Sequence, residues 1–428
     1  MRKFKAEYIT SGIFLCIIIV LMFSAVCAYA WKKINDRLNP PEEKQEIKID
    51  WEAMYPFEAE VVKENKDDTI FDKIYENLKK KFEDYSSKNL IGYYSIVESA
   101  KQYEEFTGWN MASVFEYNAV VKLHDGYLTT YTRSRDVTIN ANATIELAEF
   151  CRQRGIDFFY ANLPKKVCVY EDKNISGVLD FANQNADRFL AMLDDAGVRI
   201  YDFRKLLHDD GMNHHEAFFV TDHHWKPETG LWAARHILKI LRDDYGYDVN
   251  PDVLNPDRFD YVIYPEWFLG SQGKKVTLAR TEPDDFTMIY PKYETYLHYE
   301  IPDKGINTSG DFSIVYDFKE VEEKNYYHKS PYHAYSYGDR PLIRSKNNVI
   351  KDGKRLLIIH DSFSDCMLPF LSLGIQNVDA IDIRHFKGSL ISFICTENPE
   401  TVIIAYNSGA VVVNKPDRAG ERIIYDLR

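Results

Sequence analysis

Two short stretches hold the residue types of hydrolytic chemistry: "FFVTDHHWKPETG" from Phe218 to Gly230, and "LLIIHDSFS" from Leu356 to Ser364. In an extended or turn segment, side chains two residues apart project to the same side, so Asp222 and His224 can approach each other. A carboxylate placed there fixes one imidazole tautomer and stabilises the protonated ring, leaving the other ring nitrogen to take a proton from a serine. Ser362 is the candidate nucleophile. It follows an apolar run that reads as a strand and precedes a helix-like run, and such a turn stands at the carboxyl edge of a parallel sheet, where open α/β folds place their sites. Its backbone N–H, at a helix N-terminus, can also stabilise an oxyanion.

Each assignment has a plainer rival. Ser362 or Ser364 can merely cap the helix. His223 can hydrogen-bond within a turn, and Trp225 can pack in the core. Metal binding by Asp222, His223, His224, His214 and His215 is the chemical rival. Against it, the chain has neither HExxH nor a spaced CxxC pair, and adjacent histidines in an extended segment point to opposite faces. The pattern therefore predicts no metal and no cofactor, with Ser362, His224 and Asp222 as the catalytic set.

The elements that must position these residues read as an alternation. "YNAVVKLHDGYLTTYT" suggests a hairpin around Asp125-Gly126. A helix over Ile145 to Gly155 leads into the strand "IDFFYANLP", and "VLDFANQNADRFLAMLDDAG" leads into "VRIYDF". Pro227 suits the first turn of a helix running through "LWAARHILKIL". Later come "RLLIIH", "NVDAIDI", the helix-like "FKGSLISFICTEN" and "ETVIIAYN". Strands alternating with helices predict an α/β fold with a parallel sheet. Residues 245–348 break the rhythm with "FDYVIY", "DFTMIY", "TYLHYEI" and "FSIVYDF", which read as a β-rich insertion or cap.

Net charge is −13 over 428 residues with a pI near 5.5, which excludes the basic footprint of a nucleic-acid binder. Residues 1–33 form an address: Arg2, Lys3 and Lys5 precede an uncharged run from Tyr8 to Trp31, long enough to span a bilayer as one transmembrane helix. Cleavage after Ala28-Tyr29-Ala30 is the competing reading. Either way the bulk is exported, anchored to the cell membrane or secreted. Residues 34–110 read as a polar linker and helical stalk, and 111–428 as the catalytic domain. Cys151, Cys168, Cys366 and Cys395 are expected to be free thiols, mostly buried.

The DHHW block and the downstream serine resemble the DHHW family of exported bacterial proteins, related to the AlgJ/AlgX-type alginate O-acetylation proteins of the SGNH hydrolase-like superfamily. "NLPKKVCVY", "FLGSQGKK", "YGDRPLI" and "DIRHF" add to the likeness, which spans Leu123 to Ser408. The resemblance implies a flavodoxin-like, permuted α/β sheet in which the Asp-His block precedes the serine. It carries Asp222, His224 and Ser362 into the triad roles and makes Lys166, in the Pro-x-Lys segment, a further candidate for substrate or oxyanion contact. His360 departs from the family by standing where a Gly-Asp-Ser block has glycine, and no Gly-x-Asn element follows. Asn407 and Asn162 are then the candidate second oxyanion donors, and Arg384 is either a pocket cation for an acidic sugar or a surface arginine. The implied activity is a serine O-acyltransferase or esterase moving acyl groups, acetyl above all, on an extracellular or cell-wall polysaccharide. A multipass membrane acyltransferase partner would supply the acyl groups. The alternatives are a noncatalytic glycan-binding or assembly scaffold and a metallohydrolase.

Overall fold

The structure is a computed structural model that describes residues 120–171, 180–351, 353–413, 415 and 421–428. The expected anchor (1–33) and the linker and stalk (34–110) lie outside the described residues. No helix among those described is long and apolar enough to cross a membrane.

Strands β1 (Val120–Lys122) and β2 (Leu128–Thr130) pair antiparallel around Asp125-Gly126, where Gly126 takes φ +94°, a value open to glycine without cost. Helix α1 (Thr138–Gln153) starts well before Ile145, because the Asp136 carboxylate accepts from both the Thr138 N–H and hydroxyl just ahead of the first turn. It leads to β3 (Asp157–Leu163), then α2 (Ala182–Asp195), β4 (Arg199–Asp202) and α3 (Phe203–Asp209). Helix α4 (Pro227–Tyr245) opens on Pro227 and closes on the left-handed Gly246. Then come β5 (Phe259–Phe268), the short α5 (Ser271–Val276), β6 (Asp284–Pro291), β7 (Leu297–Ile301), β8 (Ile306–Gly310) and β9 (Ile343–Asn347). The chain ends with β10 (Arg355–His360), α6 (Leu368–Gly374), β11 (Asn377–Ile381), α7 (Leu390–Glu397) and β12 (Thr401–Asn407).

Eight strands form one sheet in the order β4-β3-β12-β10-β11-β9-β7-β8. The first five are parallel, and β9, β7 and β8 continue the sheet antiparallel. Counted from β10 as the first strand, the parallel part runs β11-β10-β12-β3-β4, or 2-1-3-4-5, the doubly wound order of flavodoxin-type sheets. The order reverses between β10 and β12, so the crevice that such a sheet offers a ligand opens at the carboxyl ends of those two strands.

Strand alternation divides the core. Leu356 and Ile358 of β10 face one buried cluster, with α4 and the β5–β6 pair, while Leu357 and Ile359 face the other, with α1, α2 and α7. The 245–348 segment is only partly a separate layer. β5 and β6 form their own two-stranded sheet, whereas β7, β8 and β9 extend the main one and cover the edge that β11 would otherwise leave open. "FSIVYDF" is not a strand. Asp311 accepts from the Ser313 N–H and caps a 3₁₀ turn over Phe312–Val315. The four cysteines of the described residues are free, with Cys395 alone exposed.

Ile358 sits fully buried at the centre of the sheet. Ile358→Ala should therefore lower unfolding stability by about 2–5 kcal/mol, read as a fall in the denaturation midpoint.

Candidate active site

The segment from Phe218 to Trp225 closes on itself as a narrow loop: the two residues form an antiparallel bridge, and the Phe219 N–H donates to the His224 carbonyl. Backbone N–H groups of Val220 and Thr221 donate to the Asp284 carboxylate at 2.7 and 2.8 Å, and the Thr221 hydroxyl adds a third bond. On the other flank the chain of Gly270–Gly273 lies against the loop. Gly270 N–H donates to Thr221 Oγ1, and Ser271 N–H donates to Asp222 Oδ2 at 2.6 Å. A Cβ at Gly270 would stand 2.2 Å from the Cβ of Asp222, so only glycine allows this approach.

Asp222 is 3% exposed, and its other oxygen accepts from His224 Nδ1 at 2.6 Å and from the His224 backbone N–H at 3.0 Å. Burial alone would raise its pKa. The His223 and His224 imidazoles, the His224 hydrogen bond and the Ser271 N–H outweigh that and hold the carboxyl well below 3.8. An ionised Asp222 at 2.6 Å accepts, which makes Nδ1 the donating nitrogen of the His224 ring. Nε2 is then an acceptor, and it lies 2.7 Å from Ser362 Oγ, a contact across 138 residues of chain.

Ser362 is held from below. Asp361 Oδ1 accepts from the Phe363 N–H, and Oδ2 accepts from the N–H and the side-chain amide of Asn407, at 2.9 and 3.1 Å. Trp225 Nε1 donates to the Phe363 carbonyl at 2.7 Å, and Tyr332 Oη lies 3.0 Å from the carbonyl oxygens of both Ser362 and Phe363. The Tyr332 ring also stacks on His224, centroids 4.2 Å apart at 12°. The turn that begins at Ser362 supplies no acceptor for its first N–H, so this donor is left for a ligand. A cleft of about 200 Å³ opens here, lined by Ser362, His223, Arg384, Asn407 and Lys415 among others.

The remaining sequence candidates divide. Asn407 lines the cleft with one amide hydrogen on Asp361, which leaves the second for a bound oxygen. Asn162 does not line it: fully buried at the end of β3, it donates to Asp202 at 3.0 Å. Arg384 reaches the cleft but is engaged by Asp382 and Asp339, so it offers hydrogen bonds rather than an unanswered charge. Lys166 is a correction. It is buried behind the loop, where it donates to the carbonyls of Leu128, Val220 and Asp222 and to Gln272, and burial lowers its pKa to about 7. Its carbonyl partners orient the backbone of Asp222 and keep the ammonium away from the cleft.

Among the described residues, two groupings have the ligand types of a cation site, Asp222-His223-His224 and Asp339-Asp382-His385. In the first, both nitrogens of His224 are committed to Asp222 and Ser362, and His223 Nδ1 meets Ser271 Oγ at 3.0 Å. In the second, the Arg384 guanidinium already serves as the cation.

Sequence reasoning missed Tyr332, Asp361 and Ser271. Gly270-Ser271 stood in a segment singled out for its likeness, but a glycine that permits a close approach is not distinguishable from a turn glycine without the partner strand. Nothing local marks Tyr332, one tyrosine among 30.

Residues 124–253 match the family model described as the SGNH hydrolase-like domain of acetyltransferase AlgX. Among solved structures the chain is similar to PatB1 of Bacillus cereus with a sulfonyl adduct, at 17% identity and TM-score 0.59, covering 73% of this chain and 99% of that one. It is also similar to a DHHW family protein from Eubacterium siraeum DSM 15702, at 18% identity and TM-score 0.53, covering 68% and 91%. These likenesses are of fold. Comparison with curated proteins gave no match.

The pKa of Asp222 fixes a stability prediction. Its value is lower in the folded chain than the 3.8 of a free carboxyl, so its contribution is complete above that value and is lost as pH falls through the folded one. The stability gap between wild type and Asp222→Asn should be constant near neutrality and narrow below about pH 4, as measured by denaturant unfolding across pH.

Proposed function

We propose that this chain, similar over residues 124–253 to an SGNH hydrolase-like acetyltransferase domain, is a serine O-acyltransferase or esterase with Ser362 as nucleophile, His224 as general base and then acid, and Asp222 as its orienting carboxylate. The observation that carries the reading is the unbroken chain Asp222 Oδ1 to His224 Nδ1 (2.6 Å) and His224 Nε2 to Ser362 Oγ (2.7 Å) at the rim of a cleft. The strand order supports a permuted flavodoxin-like sheet, since the serine follows its first strand and the Asp-His block follows its last.

Ser362 Oγ attacks the acyl carbonyl carbon while its proton passes to His224 Nε2, and Asp222 stabilises the imidazolium without accepting a proton. The oxyanion is met by the Ser362 N–H and the free amide hydrogen of Asn407. Collapse expels the leaving oxygen, which takes the proton from His224. An acceptor hydroxyl, or water, then attacks the acyl-serine; its proton goes to His224 and on to Ser362 Oγ as the ester bond breaks.

The acyl group is acetyl, by likeness to the acetyltransferase family. The acceptor is an extracellular or cell-wall polysaccharide, as the resemblance to alginate-modifying proteins implies. The uncharged run from Tyr8 to Trp31 supports export with a membrane anchor, and a multipass membrane acyltransferase would deliver the acyl groups.

Hydrolysis of p-nitrophenyl acetate tests the reading. Ser362→Ala should lower kcat by about 10³-fold or more, and Asp222→Asn by about 10³–10⁴-fold. Wild-type rates in Ser362→Ala would rule the proposal out and return the chain to a scaffold.

A further inference from the structure

His223 lines the cleft, and the proton relay leaves it unused. Its ring lies against that of His224, centroids 3.8 Å apart, and its side chain is 46% exposed while that of His224 is 9% exposed. Nδ1 is engaged by Ser271 Oγ at 3.0 Å, which leaves Nε2, the distal nitrogen, for a molecule in the cleft. A water molecule needs only one base to deacylate Ser362. Two imidazoles side by side, one on the serine and one open to the cleft, match two neighbouring hydroxyl groups of a sugar or polyol.

The geometry points to His223 as the acceptor-binding residue of the second half-reaction: it holds one hydroxyl of a vicinal diol through Nε2 while the adjacent hydroxyl meets His224. This rests on the acyl-Ser362 reading and specifies its acceptor. The reacting hydroxyl oxygen bonds to the acyl carbon and the Ser362 Oγ–C bond breaks. The hydroxyl proton passes through His224 Nε2 to Ser362 Oγ. His223 exchanges no proton in the balance. It orients the diol by one hydrogen bond and, by filling the acceptor position with substrate oxygen, favours transfer over hydrolysis.

The rival role is indirect: His223 would only steady Ser271, whose N–H serves Asp222. The two roles use different ring nitrogens, and side-chain amides separate them. Asparagine reaches the Nδ1 position and glutamine the Nε2 position.

The test uses the full-length protein with p-nitrophenyl acetate as donor and 1,2-propanediol or 1-propanol as acceptor. It reads the burst of p-nitrophenol, which reports acylation, and the ratio of acetyl ester formed to acetate released. Wild type should favour the diol over the mono-alcohol by about tenfold, the size of one hydrogen bond. His223→Phe should lose that preference whatever its rate of acylation, because the product ratio is set after the acyl-serine forms; His223→Gln should recover most of it, and His223→Asn should not. A retained preference in His223→Phe, equal use of both alcohols by wild type, or recovery by asparagine as good as by glutamine overturns the inference while leaving Ser362 in place. Release of p-nitrophenol by Ser362→Ala at the wild-type rate overturns the acyl-serine reading and this inference with it.

Discussion

A carboxylate buried beside a histidine stays ionised only if donors are fixed around it before any ligand arrives. Asp222 meets that requirement with two histidine contacts and one backbone N–H from Ser271, and the rest of the site follows from it. The donor from Ser271 exists because Gly270 has no side chain to hold the two segments apart. Thr221, one residue earlier, is anchored by Asp284, and the Asp222 carbonyl is drawn back by Lys166. Three segments, carrying Lys166, Gly270-Ser271 and Asp284, converge on one loop of a few residues. Their charges and dipoles settle the tautomer of His224, and so decide that Nε2 faces Ser362 with a lone pair.

The sheet supplies the other half. Ser362 leaves β10 at the point where strand order reverses, which is where a sheet of this order offers a ligand its crevice. Asp361 bridges the two strand ends through Asn407, so the turn bearing Ser362 is tied to the far wall of the cleft. Tyr332 and Trp225 tie the same turn to the histidine loop. Ser362 and His224 are therefore not left to chance encounter across 138 residues; Tyr332, whose hydroxyl meets the carbonyls around Ser362, also stacks its ring on His224. Neutral or paired groups predominate in the cleft, since Arg384 is answered by two aspartates. That suits an uncharged ester and a hydroxyl acceptor.

Legibility followed the range of the interaction. Period-two and helical patterns are local, so β3, β10, β12 and α4 could be read, and with them the turn carrying Ser362 and the Asp222-His224 pair. Asp311 capping a 3₁₀ turn overrode an apolar run that had the look of a strand. The joining of β7, β8 and β9 to the main sheet depends on pairing between distant strands, which leaves no periodic mark. The same holds for buried polar residues: Lys166 and Asn162 lie in or beside the right strand, but only the positions of Asp222 and Asp202 show that both are directed away from the cleft. Tyr332 was invisible for a related reason, because its role lies in what its hydroxyl and ring touch.

The central claim is that the Asp222–His224 pair makes Ser362 a nucleophile. The most direct measurement is peptide mass mapping of protein quenched in acid during turnover of an acetyl ester. The account predicts a single acetyl group on the peptide bearing Ser362, absent from His224→Ala protein quenched at the same time. An acetyl group on another residue, or equal acetylation of Ser362 with and without His224, would contradict it.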